Sequence, residues 1–191
     1  MVIRMRIRLK DLAGNEILAG GLNGRKTLND LLERITEEPE SPEPVYLDFR
    51  GVEVATASFL RECVLEFRDI VRKRWAKYYP VVANANDRVT EELSILLGQR
   101  DALMLCTLDK DGNPGSPRLV GDLEPKQRIA FDLVRKLGEA DAAKLRSKSN
   151  KTEDVGQTAW NNRLASLSRM GLLMELSHGR AKRYRPLPLE V

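Results

Sequence analysis

The chain has 191 residues, of which 42% are hydrophobic and 31% charged. This composition is typical of a globular protein and excludes disorder throughout, while the length allows one large core or two small ones. The net charge of +4 is uneven, because residues 1–121 contain 18 Lys and Arg against 19 Asp and Glu, whereas residues 122–191 contain 14 against 9. The basic excess of the second half favours a phosphate backbone as its partner, and added solubility is the alternative reading.

Two features of the sequence bear on where the protein works. No apolar run approaches the roughly 18 residues of a membrane span, and the start, MVIRMRIRLK, interleaves arginines with apolar residues unlike a signal peptide. We therefore expect a cytoplasmic protein with no membrane partner. Cys63 and Cys106 lie far apart and outside any CxxC or Cys/His pattern, so we expect buried, reduced and inactive thiols without a metal.

The first 120 residues predict an α/β layer, because strand-like apolar stretches alternate with amphipathic helices. Residues 2–9 alternate apolar and basic side chains, as a half-buried strand does. Further strands are predicted at 45–49, 79–85 and 101–108, and helices at 25–38, about 59–71 and 87–97. The glycines of GGLNGRK are expected to form a turn before the first helix.

Two local details of this half stay open at the sequence level. The helix at 87–97 is capped by either Asn86 or Asp87, both of which are good N-cap residues. The cluster DKDGNPG at 109–115 predicts a turn, and residues 116–123 after it are either a returning strand or an inter-domain connector. We place a domain boundary near residue 120.

Residues 121–191 predict a mainly helical unit that ends in a basic two-stranded ribbon. Helices are expected at 127–137, within 139–148 and from residue 158 onward. At about 100° per residue, the last helix places three apolar residues on one face, where they would pack: Trp160, Leu164 and Leu167. Thr158, Asn162 and Arg169 point roughly the opposite way, and Asn161 and Arg163 flank them.

The residue types on this helix and ribbon are those that recognise DNA. Amides pair bidentately with adenine and arginine with guanine, so the expected base contacts are Thr158, Asn161, Asn162 and Arg163. Basic residues near a tight turn at Gly179 can lie along a phosphate backbone, and the expected phosphate contacts are His178, Arg180, Lys182 and Arg183. The alternative is a protein-interaction module in which the amides are merely solvated.

This half resembles the winged helix-turn-helix superfamily, including its multiple-antibiotic-resistance-type regulators. The string LSRMGLL after an apolar-anchored helix and the ribbon ending in KRYRPL carry the resemblance, which spans about residues 124–188. The resemblance implies binding of double-stranded DNA, commonly as a homodimer.

The first half resembles another family in the string VYLDFRGVEVATASFLRECV, where a strand ending in LDF leads through small residues into a long helix. This is similar to the STAS fold of anti-anti-sigma factors and to a STAS-like family of bacterial proteins, most strongly at residues 45–68 and plausibly over about 1–108. The resemblance implies a protein partner for this module. The Asp-Ser-Ser-Gly motif that is phosphorylated in anti-anti-sigma factors falls on Thr56, Ala57, Ser58 and Phe59.

The absence of serine at the phosphorylated position leaves Ser58 or Thr56 as the only nearby acceptors for regulation. The same small residues can instead supply a helix N-cap. The sequence contains no phosphate loop, and DKDGNPGSP lacks the glycine and closing acid of a calcium loop. We therefore expect no enzyme and no cofactor.

Together the two halves predict a STAS-like α/β domain at residues 1–120 and a winged helix-turn-helix domain at 121–191. The expected function is that of a DNA-binding transcriptional regulator whose N-terminal module receives a partner or signal. The rival reading is a protein-interaction adaptor of a partner-switching or defence-type complex without sequence-specific DNA binding.

Overall fold

The computed structural model describes residues 5–149, 155–178 and 181–187, although not the side chain of His178. The side chain of the predicted phosphate contact His178, the predicted contact Arg180 and the turn at Gly179 therefore lie outside the described part of the structure. The fold is mixed α/β and is built on a mostly parallel sheet of five strands in the order β1-β3-β5-β6-β7.

The first part of the chain alternates strands and helices, as the apolar periodicity predicts. Its elements are β1 Met5–Arg8, α1 Leu9–Ala13, β2 Ile17–Leu18, α2 Gly21–Leu32, β3 Glu43–Asp48, β4 Val54–Ala55, α3 Ala57–Leu60, a π-helical segment Arg61–Leu65, α4 Glu66–Arg74, β5 Tyr78–Ala83, α5 Asp87–Leu97, β6 Ala102–Leu108 and β7 Pro114–Gly121. Strand β7 is antiparallel to β6, and the other neighbours in the sheet are parallel.

The direction of the crossovers explains where the helices lie. From β1 through β3 and β5 to β6, each connection moves one strand further across the sheet in the same direction. Because parallel crossovers are right-handed, connections in one direction place their helices on one face. Accordingly, the inward residues of α2, α3, α4 and α5 share a core with every second residue of the strands, namely Ile7, Val45, Leu47, Val82, Leu103 and Leu105.

The opposite face of the sheet is covered by the C-terminal part of the chain. Its elements are α6 Pro125–Leu137, α7 Ala142–Lys148, α8 Gln157–Arg169, β8 Leu173–His178 and β9 Ala181–Pro186, and the last two form an antiparallel hairpin. A second core joins buried residues of these elements to the alternate strand residues Tyr46, Tyr79, Val81, Ala83, Met104, Cys106 and Leu108. A mostly parallel sheet needs cover on both faces, and here the C-terminal elements provide it.

Polar contacts also join the two parts of the chain across this second face. The Tyr79 hydroxyl accepts a hydrogen bond from the Glu175 N–H at 2.9 Å and lies 3.2 Å from the Ser168 hydroxyl. Arg72 donates from Nη2 to the Ser168 carbonyl at 3.0 Å and stacks over the Tyr79 ring at 3.9 Å. The predicted boundary near residue 120 falls beside Gly121, the last residue of β7, but the second core runs across it.

The structure corrects one expectation about α2. The helix begins at Gly21 and ends at Leu32, whereas the predicted range was 25–38. Gly21 and Gly24 of GGLNGRK therefore lie inside the helix and not in a turn, and Gly20 is its N-cap. A Cβ at Gly24 would lie 2.9 Å from the carbonyl oxygen of Phe59. Glycine is therefore needed there because the backbone of α2 passes this close to α3.

The two open alternatives of this half are resolved. Asn86 is the N-cap of α5, since its side chain accepts a hydrogen bond from the Val89 N–H at 2.9 Å. Residues 114–121 form the returning strand β7 and not a connector. The short elements α1, β2 and β4 were not predicted, because five-residue and two-residue elements are too short to show a periodicity.

Candidate nucleic-acid interface

Helix α8 has one packed face and one exposed face, as the periodicity predicts. Trp160, Leu164 and Leu167 are fully buried in the second core. Three predicted base contacts are exposed together on the other side, namely Thr158, Asn161 and Asn162. The exposed strip continues through the half-exposed Ala165 to Arg169 at the end of the helix.

Arg163 is the predicted base contact that the structure places elsewhere. It is only 8% exposed, and its guanidinium lies 4.6 Å from the ring centroid of Trp160, one helical turn earlier. At three residues from Trp160 the side chain flanks the packed face, and its aliphatic stem is long enough to fold back over the indole. Of the four predicted base contacts, Arg163 is therefore not exposed for contact with DNA bases.

The hairpin β8–β9 presents three cations among the described residues, and each of the three has a carboxylate beside it. Lys182 Nζ lies 2.7 Å from Glu175 Oε1. Arg183 donates to one oxygen of Glu139 at 3.1 Å, and Arg185 donates to the other at 2.5 Å. The hydrogen bonds from Arg185 and then Arg183 lower the pKa of Glu139, so this carboxylate stays charged and holds both arginines.

Arg185, Arg169 and Glu139 were not among the predicted site residues. The alternation in β9 could have identified Arg185, because Tyr184 is buried and its two arginine neighbours in sequence must then share the opposite face of the strand. Arg169 was placed on the exposed face by its helical spacing. Glu139 precedes α7 and meets β9 only through the fold, where an isolated bridge pairs Ala140 with Tyr184.

A groove of about 900 Å³ borders the exposed strip of α8. Ala165 and Arg169 form one wall, the hairpin residues Glu175 to Ser177 with Lys182 form a second, and residues 38–42 with 76–77 form the third. Lys77 fixes the third wall, since its N–H donates to Glu38 at 2.9 Å and its Nζ to the Glu40 carbonyl at 3.0 Å. Two exposed glutamates of the first part, Glu38 and Glu40, thus lie across the groove from the cations of the second.

The two predicted regulatory residues lie together at the start of α3. The Thr56 hydroxyl caps the helix by accepting from the Phe59 N–H at 3.4 Å, and it also accepts from the Gly20 N–H at 3.2 Å. Ser58 Oγ lies 3.2 Å from the same hydroxyl. Both side chains are half-buried, so the capping role belongs to Thr56, and a regulatory role for either stays a prediction.

Both cysteines are buried, as predicted. Burial raises the pKa of the Cys63 thiol to about 12, and burial together with the nearby Asp48 does the same for Cys106. Neither thiol is reactive at neutral pH. Among the described residues, no group of three or more His, Cys, Asp or Glu side chains is arranged to hold a metal ion.

Comparison of the chain with protein-family models, with curated proteins and with solved structures finds no match. The resemblances to STAS-like and winged-helix proteins therefore remain predictions. Within the described part of the chain, every helix is too short or too polar to cross a lipid bilayer.

Proposed function

We propose that the protein is a DNA-binding transcriptional regulator in which α6 to β9 act as a winged helix and the sheet with its helices acts as a STAS-like partner-binding module. The observation that carries the proposal is the two-faced character of α8. Its buried face anchors it in the second core, while Thr158, Asn161 and Asn162 stand exposed, and the exposed strip ends at Arg169, which shares a groove with the hairpin residue Lys182. Short amides and hydroxyls on an exposed helix are suited to reading base edges.

The order of the C-terminal elements supports this assignment. A helix, a short bridge at Ala140, two further helices and an antiparallel hairpin follow one another, and the bridge pairs with the second strand of the hairpin. Helix α8 has 13 residues and is thus about 20 Å long, which suits the major groove of B-DNA. Phosphates would be bound by Arg169 and by the hairpin cations Lys182 and Arg183.

We further propose that the protein is cytoplasmic, acts without a cofactor and has no enzymatic activity. We also propose that it binds DNA as a homodimer, because DNA-binding proteins with a recognition helix commonly bind two half-sites as dimers. Light scattering of the protein with and without a duplex tests the dimer. A complex of one chain per duplex contradicts that part of the proposal alone.

The experiment on base reading is selection of preferred duplexes from a random pool, followed by the same selection with Asn162→Ala. The expected result is a defined preference in the unchanged protein that the substitution alters at one or two positions, since a lost bidentate contact costs about 1–3 kcal/mol at that base. Gln99→Ala, an exposed amide after α5, is the matched control and leaves the preference unchanged. An identical preference for all three proteins contradicts base reading by α8.

The adaptor function is the second candidate, and one surface feature favours it. Leu22 at the start of α2 is 84% exposed and Ile17 in β2 is 51% exposed, and exposed apolar side chains mark a protein interface where they form a contiguous patch. A protein that selects no duplex, but whose binding to a purified partner is lost on Leu22→Asp, would act as an adaptor.

A further inference from the structure

A cavity of about 360 Å³ opens at the edge of the sheet, where β1 meets α1 and the segment after α2. Three arginines and one aspartate line it, together with two apolar residues: Arg6, Arg8, Arg34, Asp11, Ile7 and Leu12. We name it the arginine pocket. It lies on the first part of the chain and contains none of the residues proposed to contact DNA.

Arg6 is held in a fixed position by a buried acid. Asp48 at the end of β3 is completely buried, and its carboxylate also accepts from the Arg50 N–H at 2.9 Å and from Asn84 Nδ2 at 2.7 Å. Arg6 Nε donates to Asp48 Oδ2 at 2.6 Å, and Nη2 lies 2.5 Å from the same oxygen. These contacts use one edge of the guanidinium and fix its position, and Nη1 makes no hydrogen bond with another described residue.

The other two arginines are less constrained. Arg8 Nη1 lies 3.9 Å from Asp11 Oδ2, and both side chains are more than half exposed, so this ion pair contributes little. Arg34 is exposed and has no hydrogen bond or ion pair with another described residue. Asp48 balances Arg6 and Asp11 stands near Arg8, which leaves the charge of Arg34 without a counter-ion in the pocket.

We infer that the arginine pocket binds the phosphate group of an anionic ligand. Guanidinium groups bind phosphate through paired, charge-assisted hydrogen bonds, and one of the three is already oriented by a buried carboxylate. The volume is within the range of small-molecule sites and accommodates a group the size of a di- or triphosphate. An arriving phosphate displaces Asp11 from Arg8 and supplies the missing counter-ion of Arg34.

The test is calorimetric titration of the full chain with sodium tripolyphosphate at low, matched ionic strength. Arg8→Gln and Arg34→Gln are each expected to weaken binding about tenfold through loss of a charge-assisted contact. Asp11→Asn, which removes the competing carboxylate, is expected to strengthen binding several-fold. Arg88→Gln in α5, also exposed, is the matched control and leaves binding unchanged. No binding by the unchanged protein, or an equal loss in the control, overturns the inference.

A second arm identifies the source of the phosphate. If a free phosphorylated molecule is the ligand, duplex DNA does not compete with tripolyphosphate and the Arg8→Gln, Arg34→Gln double variant binds DNA normally. If the phosphate belongs to a nucleic-acid backbone, duplex DNA competes and the double variant loses part of its salt dependence. Thermal unfolding of each variant checks that these exposed substitutions leave the fold intact.

Discussion

Leu164→Ala is expected to destabilise both halves of the chain by the same amount, because its side chain is fully buried in the core shared by α8 and the sheet. Truncation of a buried leucine costs about 2–5 kcal/mol. With a urea m-value of about 3 kcal/mol/M for a chain of this size, a loss of about 3 kcal/mol lowers the unfolding midpoint by about 1 M.

The two tryptophans of the chain make this measurable, since Trp75 lies in the first core and Trp160 in the second. In Trp160→Phe only Trp75 reports unfolding by fluorescence, and in Trp75→Phe only Trp160 reports it. The urea unfolding curve of each single-tryptophan variant is measured with and without Leu164→Ala. We expect both probes to shift to the same lower midpoint, as one cooperative unit requires. A shift of the Trp160 transition with the Trp75 transition unchanged would refute the shared core and favour two independent domains.

Three further predictions concern charge and backbone geometry. Glu139→Gln is expected to release the two hairpin arginines and tighten duplex binding about two- to fivefold at low salt; unchanged affinity would mean that these arginines do not contact DNA. Glu38→Gln with Glu40→Gln is expected to tighten duplex binding more than the same change at Glu66 and Glu91, two exposed glutamates that do not line the groove; equal effects of the two pairs would exclude a local role for Glu38 and Glu40. Gly121→Ala is expected to destabilise the protein by several kcal/mol, since φ is +90° and the new Cβ would clash with the backbone oxygen of Asp101, whereas Gly98→Ala, at φ +57° with open space around it, is expected to cost about 1–3 kcal/mol in urea denaturation through backbone strain alone.

The larger elements of this fold could be predicted because their apolar patterns reflect burial on one face or two. Helix α5 matches its predicted range, and strand β6 begins one residue later than expected. The packed face of α8 could be predicted in the same way, because its apolar residues recur at helical spacing. Element ends were less predictable, as at α2, which begins at Gly21 and contains Gly24, where the neighbouring α3 leaves no room for a side chain.

Features created by contacts between distant segments could not be predicted from local patterns. The burial of Arg163 depends on the indole beneath it and the core around it. Glu139 meets the hairpin arginines from 44 and 46 residues away. The second core pairs strand residues with helices that a division near residue 120 assigns to another domain. In each case the local pattern says nothing about which distant residues a side chain meets, because the packing of the elements decides its neighbours.

Binding of DNA by α8 and the hairpin is tested by fluorescence anisotropy, in which a labelled duplex is titrated with the unchanged protein at several salt concentrations. With three or more hairpin and helix cations on phosphates, the logarithm of the binding constant should fall linearly with the logarithm of salt, with a slope of about −3 or steeper, and one duplex should be preferred. Absence of binding at low salt would exclude DNA as the partner of the exposed strip of α8.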